Sequence, residues 1–323
     1  IMVTLFYNSA KNIRKYMKLI YIAIGFILTC HITYSSEKLD NTHRFLSASI
    51  FKITNRIDSF FGSKYSLEES NGSHLRYYYT ATQKEYTSLS VEPNIKINIR
   101  LKELERKLSF NFERTTRVID PTHRKAEGIV EKDAYEDKPL KSAYIGSVAL
   151  LMHERSLWHL SFDSGVKFGG DFNPFVRFRG RRNISFKSWE VRLVEEVVNY
   201  SREGLLQFTT LDFNIPILDL LSFRFTNNFS WRQRNRNTFS SHGPSLYQII
   251  NSKKALSYNI RGHFKNDPID QVNAYDIFVS YRQLLYKKWF FYETTAGVSF
   301  LRKYNFYKRG YISAKVEAIF GTY

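Results

Sequence analysis

The chain has 323 residues, 43% hydrophobic and 16% aromatic, with 27 Phe and 22 Tyr but only 7 Pro and 15 Gly. That composition excludes collagen-like repeats and long disordered tracts, and so many aromatics suit strands and membrane interfaces. The net charge of +18 raises nucleic acid as a partner. Lys and Arg alternate with apolar residues instead of clustering, however, and no zinc-finger spacing, helix-turn-helix pattern or RRM-like signature occurs, so no nucleic-acid partner is expected.

Residues 1–35 have the form of a secretory signal peptide. From Met17 the chain reads MKLIYIAIGFILTCHITYSS: a Lys, the apolar run Leu19–Leu28, then small residues Thr33 and Ser35 at −3 and −1 of a cleavage site before Ser36. The run is too short for a comfortable spanning helix. Residues 1–16 read either as an extended n-region or as translation upstream of a true start at Met17. Cys30, the one cysteine, lies inside this segment, so the exported chain would hold no thiol and rest on backbone pairing and packing. Thr29-Cys30 fits a lipoprotein cleavage site poorly. Losing Lys11, Arg14, Lys15 and Lys18 with no acid would take the net charge from +18 to +14.

Residues 36–72 read as a periplasmic N-terminal segment. Within it, Leu46, Ile50, Ile53, Ile57 and Phe60 recur at helical spacing and predict one amphipathic helix over 43–61. Such a helix packs on a barrel mouth, or serves as a small plug or docking element. No second long apolar run follows the signal, so any later membrane crossing is made by strands.

From residue 73 to 323 alternating runs separated by turn signals predict a barrel. Fourteen strands are expected, within bounds of 12–16: 74–82, 87–101, 106–117, 142–153, 157–169, 174–181, 188–201, 205–214, 220–232, 244–250, 255–265, 272–284, 289–302 and 308–320. The register of 188–201 and 244–250 is not fixed by their patterns. The even-numbered connections are all short, while the two longest, 118–141 and 233–243, fall in the odd set. That is the asymmetry of short periplasmic turns and longer outer loops in outer-membrane barrels. Trp158, Trp189, Trp231 and Trp289 sit at strand ends, where an aromatic girdle belongs.

The stretch VEPNIKINIRL (91–101) shows the two faces. Val91, Ile95, Ile97, Ile99 and Leu101 share one parity, and Glu92, Asn94, Lys96, Asn98 and Arg100 the other. Alternation alone suits a soluble core or a lipid wall equally; the signal peptide, loop asymmetry and strand count select the lipid wall. The inward, pore-lining candidates are then Lys96, Arg100, Arg177, Arg179, Arg192, Arg224, Arg261, Asp276, Arg282, Lys315 and Glu317. About eight strands leave room for side chains only, and about sixteen to eighteen leave an aqueous channel. Fourteen lies between, so open and filled lumens both remain.

No CxxC, HExxH, phosphate-binding glycine loop or EF-hand pattern is present, and no cofactor or metal is implied. Ser240-Ser241-His242-Gly243, placed in the 233–243 loop, gives a weak Ser/His signal with no third orienting residue. Loop 118–141, with five basic and six acidic residues, reads as a solvated outer loop.

The segments IDSFFG (57–62), VEPNIKINIRLKELERKL (91–108), KALSYNIRG (254–262), YRQLLYKKW (281–289) and KVEAIFG (315–321) resemble an outer-membrane β-barrel family of Gram-negative proteobacteria, known as hypothetical proteins. The resemblance covers most of 56–321 in scattered blocks. It implies the barrel and the location, and no activity. The chain departs from the usual aromatic finish, since Gly321 and Thr322 stand between Phe320 and Tyr323.

The expectation is an all-β, up-and-down transmembrane barrel in the outer membrane of a Gram-negative bacterium, monomeric or weakly oligomeric and not an enzyme. Its partners are outer-membrane lipid and lipopolysaccharide, the barrel-assembly machinery through the C-terminal strand, and small anionic solutes. The leading function is a passive pore with an Arg-rich lumen. The alternative is a filled structural or partner-docking barrel, and a lesser third reading is a membrane-embedded lipid hydrolase.

Overall fold

The computed structural model describes residues 73–100, 108–115, 143–155, 158–169, 172–186, 188–234, 237–266, 270–286 and 289–321. The signal segment, helix 43–61, loop 118–141 and the last two residues lie outside the described residues. Fourteen antiparallel strands close into one barrel: β1 (His74–Lys84), β2 (Ser90–Arg100), β3 (Leu108–Thr115), β4 (Ala143–Arg155), β5 (Trp158–Phe168), β6 (Asn173–Ser185), β7 (Glu190–Tyr200), β8 (Gly204–Leu218), β9 (Leu221–Arg232), β10 (Thr238–Asn251), β11 (Lys254–Asn266), β12 (Asp270–Tyr286), β13 (Phe290–Leu301) and β14 (Lys308–Gly321). Every strand pairs with its sequence neighbours. The ring shuts where β1 meets β14, from His74↔Gly321 to Lys84↔Tyr311. No edge is left open, so every stave has backbone partners on both sides.

Alternation decides which side of each stave faces in. On β9, Leu221, Phe223, Phe225, Phe229 and Trp231 point outward, while Ser222, Arg224, Thr226, Asn228 and Ser230 are buried inward. The polarity is inverted relative to a water-soluble protein. Outward Ile99, Ile260 and Ile312 are 48%, 52% and 55% exposed, whereas inward Glu190, Asp212, Asp276 and Arg282 are at 0%. An apolar outer band around a polar interior is the arrangement of transmembrane barrels.

The strand count agrees with the sequence reading; three boundaries differ by four residues or more. β6 runs on to Ser185, because Arg181 and Asn183 keep the inward parity past Gly180. β8 continues through Ile215 and Pro216 to Leu218, leaving Asp219 and Leu220 as the turn. β10 begins at Thr238, so Ser240-Ser241-His242-Gly243 is strand and the connection before it is short. One of the two long loops behind the expected asymmetry is therefore absent. Gly243-Pro244 reads as a breaker, yet the barrel accommodates it. The β10–β11 ladder skips from His242↔Gly262 to Ser245↔Asn259, and Arg261 fills the gap by donating from Nη1 to the Gly243 carbonyl and from Nη2 to Ser245 Oγ (3.0 Å). On the β11 side the proline, which has no N–H to give, thus falls in a gap of the ladder.

Aromatic side chains gather at both rims. Trp158 opens β5, Trp189 and Trp289 precede β7 and β13, and Trp231 is next to last on β9. Trp189 stacks on Phe186 with ring centroids 4.1 Å apart, and Trp289 on Phe320 at 5.4 Å.

Gly297 on β13 holds a place for a ring. A Cβ there would stand 2.6 Å from Cζ of Tyr311 and 2.7 Å from Cβ of Phe278. The bare backbone lets the Tyr311 ring lie across it and carry its hydroxyl to Asp276. Gly297→Ala is expected to cost about 1–3 kcal/mol through this overpacking, read as a lower denaturant midpoint of the folded barrel.

The β1–β2 turn is pinned to the start of β14. The Glu85 N–H donates to the Gly310 carbonyl and the Gly310 N–H donates to Glu85 Oε2, both at 2.9 Å. The Gly310 amide holds the Glu85 carboxyl below its ordinary value of 4.5, with Lys308 and Arg309 adding to the effect. A depressed carboxylate contributes above its unfolded pKa and loses that contribution as pH falls through the lower folded value. Protection of the Gly310 amide from hydrogen exchange is expected to hold at pH 6 and fall away below 4.5. In Glu85→Gln that pH dependence disappears.

Candidate functional site: a charge-lined lumen

Two-residue periodicity on neighbouring staves, fixed by the registers, stacks ionisable side chains into inward ladders. The first spans β12, β13, β14 and β1. Arg282 donates from Nη1 to Glu293 Oε2 (2.8 Å) and from Nη2 to Glu317 Oε2 (2.6 Å). Arg76 Nε reaches the other oxygen of Glu317, and Lys315 Nζ lies 2.7 Å from Glu293 Oε1. The Arg282 guanidinium also sits 4.4 Å above the Phe291 ring. Three cations share two carboxylates, and each acid bridges two staves.

The second ladder spans β5, β6 and β7. Arg177, Arg179 and Arg181 follow one another on the inward face of β6 at steps of about 6.6 Å. Arg177 Nε donates to Asp163 Oδ2 (2.8 Å), and its Nη1 lies 3.6 Å from Glu196 Oε1. Arg179 Nε lies 3.9 Å from the other Glu196 oxygen. Toward the β7–β8 turn, Lys167 binds Glu203 at 2.8 Å. Beside this ladder the lumen carries an apolar cluster of Ile145, Phe175, Val198, Tyr200, Leu206 and Phe208.

A third group lies between them. Thr226 donates to Asp212 Oδ1 (2.8 Å), Arg224 binds Asn214 and covers the Tyr247 ring at 5.3 Å, and Tyr311 donates to Asp276 Oδ1 (2.8 Å). Arg261 stands opposite Asp276 in the β11–β12 register, and Arg192 opposite Asp212 in β7–β8. Lys96 is 3.8 Å from Glu113. Arg100 has inward parity opposite Ser109, and its side chain lies outside the described residues.

The structure thus brings Arg282, Lys315 and Glu317 into one cluster and Arg177 and Arg179 into another. The pore-lining set read from the sequence leaves out Arg76, Asp163, Arg181 and Glu293. Arg181 falls inside the expected strand 174–181, on the parity of Arg177 and Arg179. The others carry inward parity in their own strands, a signal that could have found them. Of the proposed Ser/His pair, Ser241 is inward while Ser240 and His242 are outward; His242 Nδ1 lies 2.9 Å from Asn227 Oδ1.

No family model matches the chain, and no curated protein matches it. Solved structures with a similar course include the outer-membrane channel DcaP of Acinetobacter baumannii, at 8% identity over 77% of this chain and 96% of that one, with a TM-score of 0.44. A bacterial polysaccharide outer-membrane secretin matches at 8% identity over 78% and 99%, TM-score 0.44. OmpT lacking loop L8, an outer-membrane protein of Vibrio cholerae, matches at 8% over 77% and 100%, TM-score 0.43. At such distances the architecture stands on this chain's own pairing and registers.

Proposed function

We propose that the chain is an outer-membrane β-barrel of a Gram-negative bacterium, exported through a cleaved signal peptide, that passes small anionic solutes along a basic lumen wall. The observation that carries this reading is the inward face of β5–β7, where Lys167, Arg177, Arg179, Arg181 and Arg192 stand against Asp163, Glu190 and Glu196. Repeated guanidinium groups offer an anion several equivalent partners in succession. Arg179, whose Nε is 3.9 Å from the Glu196 carboxylate, is held loosely enough for exchange, as conduction requires. The neighbouring apolar cluster narrows the path without competing for charge. Outward, the apolar band meets lipid and lipopolysaccharide, and β14, ending near Phe320, presents the strand that assembly machinery engages. The purified barrel in planar bilayers is expected to conduct with anion preference. A silent bilayer from folded protein would overturn the pore.

A second reading has its own support. Arg192, Arg261, Arg282, Glu190, Glu196 and Glu317 are each under 2% exposed. Charges so enclosed and cross-linked suit a filled barrel that stiffens the envelope or docks a partner, and that reading predicts the silent bilayer.

A further inference from the structure

Away from the strand ends the outward wall is almost free of charge. Among the described residues, Glu195 and His242 are the only carboxyl, imidazole, amine or guanidinium side chains that are outward and four or more residues from both ends of their strands. Both belong to one polar stretch across β7–β10. Glu195 accepts from Gln207 Nε2 and Thr209 Oγ1, each at 2.7 Å, and His242 pairs with Asn227 at 2.9 Å. Glu195, Thr209 and Asn227 stand five residues from the same rim and His242 four, so the stretch occupies one depth. Its flanks match: Gly180 lies opposite Glu195 on β6, and Gly262 opposite His242 on β11. The order around the wall is therefore glycine, acid, polar and apolar centre, imidazole, glycine.

Resting on the membrane placement above, we infer that this stretch is the isologous contact between two copies of the chain. A two-fold axis along the membrane normal, passing between β8 and β9, sets β7 of one copy against β10 of its neighbour. Glu195 then meets His242 of the partner subunit, and the reciprocal pair forms on the other side of the axis. Phe229 and Leu211, outward on β9 and β8, fill the centre beside the axis. Facing lipid alone, a carboxylate and an imidazole at this depth would be a net cost. Facing each other, they form a charge-complementary pair twice over.

The test uses the full chain with Cys30→Ser, expressed into bacterial outer membranes and checked for folding by heat-modifiable mobility. Phe229→Cys, close to the axis, is expected to give at least tenfold more disulfide dimer on oxidation than Val316→Cys on the opposite wall. Glu195→His and His242→Glu are each expected to lower that yield at least fivefold in the Phe229→Cys background, and the double exchange to restore it. Equal yields from both walls, or single exchanges without effect, would overturn the dimer. So would a monomer whose patch retains lipopolysaccharide or cleaves phospholipid in a His242-dependent way. Failure of the membrane placement itself would be seen separately, as folded protein in the soluble fraction.

Discussion

Glu317→Ala is expected to destabilise the folded barrel by about 3–5 kcal/mol, the usual cost of removing one partner from a buried ion pair. Glu317 ties β14 to both β1 and β12, accepting from Arg76 on one oxygen and from Arg282 on the other at 2.6 Å. Both guanidinium groups are buried. Without the acid, Arg282 keeps Glu293, but Arg76 loses its closest carboxylate at the seam that closes the ring. The measurement is a urea titration of the barrel folded in lipid vesicles, followed by tryptophan fluorescence. Glu317→Gln, which keeps two polar atoms but no charge, should cost less. Adding Arg76→Ala to Glu317→Ala should recover part of the loss, since the stranded cation is gone. A loss under about 1 kcal/mol for Glu317→Ala would mean that the seam is held by the backbone ladder alone.

Arg177→Ser, Arg179→Ser and Arg181→Ser combined are expected to reverse the ion preference of the pore. Three cations leave the β6 wall while Asp163 and Glu196 stay, so that wall changes from net positive to net negative. Under a tenfold KCl gradient the reversal potential should lie on the anion side for the native barrel and on the cation side for the triple variant. Arg179→Ser alone should move it part of the way, and adding Arg224→Ser should extend the shift. The difference should be largest in dilute salt and shrink near 1 M, where the screening length falls to about 3 Å. An unchanged reversal potential in a conducting triple variant would place the selectivity elsewhere in the lumen.

How much of this was legible depended on what each residue's signal had to compete with. Strands such as 220–232 and 308–320 were found with boundaries nearly unchanged, because period-two alternation runs unbroken through them. At Ser240–Pro244 the local chemistry of serine, glycine and proline argued for a loop. It was overridden by a ladder that needs no N–H from Pro244 on the β11 side and by the Arg261 bridge to Gly243. The register of 188–201 was ambiguous because Glu195 and Glu196 place an acid on each face. Pairing resolves it, with Glu196 opposite Arg179 inward and Glu195 opposite Thr209 outward. Which cations meet which carboxylates could not be read at all. Those contacts join residues as far apart in sequence as Arg76 and Glu317, and only closure of the ring brings them together.

The central claim is that this wall is apolar outside and charged within, with lipid against the isoleucines. Nitroxide labels placed singly at Ile95, Lys96, Ile97 and Asn98 of β2, with the barrel in lipid vesicles, test it directly. Collision with dissolved oxygen, which concentrates in lipid, should be high at Ile95 and Ile97 and low at Lys96 and Asn98. A polar nickel chelate should not reproduce the two maxima. Alternation in the opposite phase, or no alternation along the strand, would contradict the account.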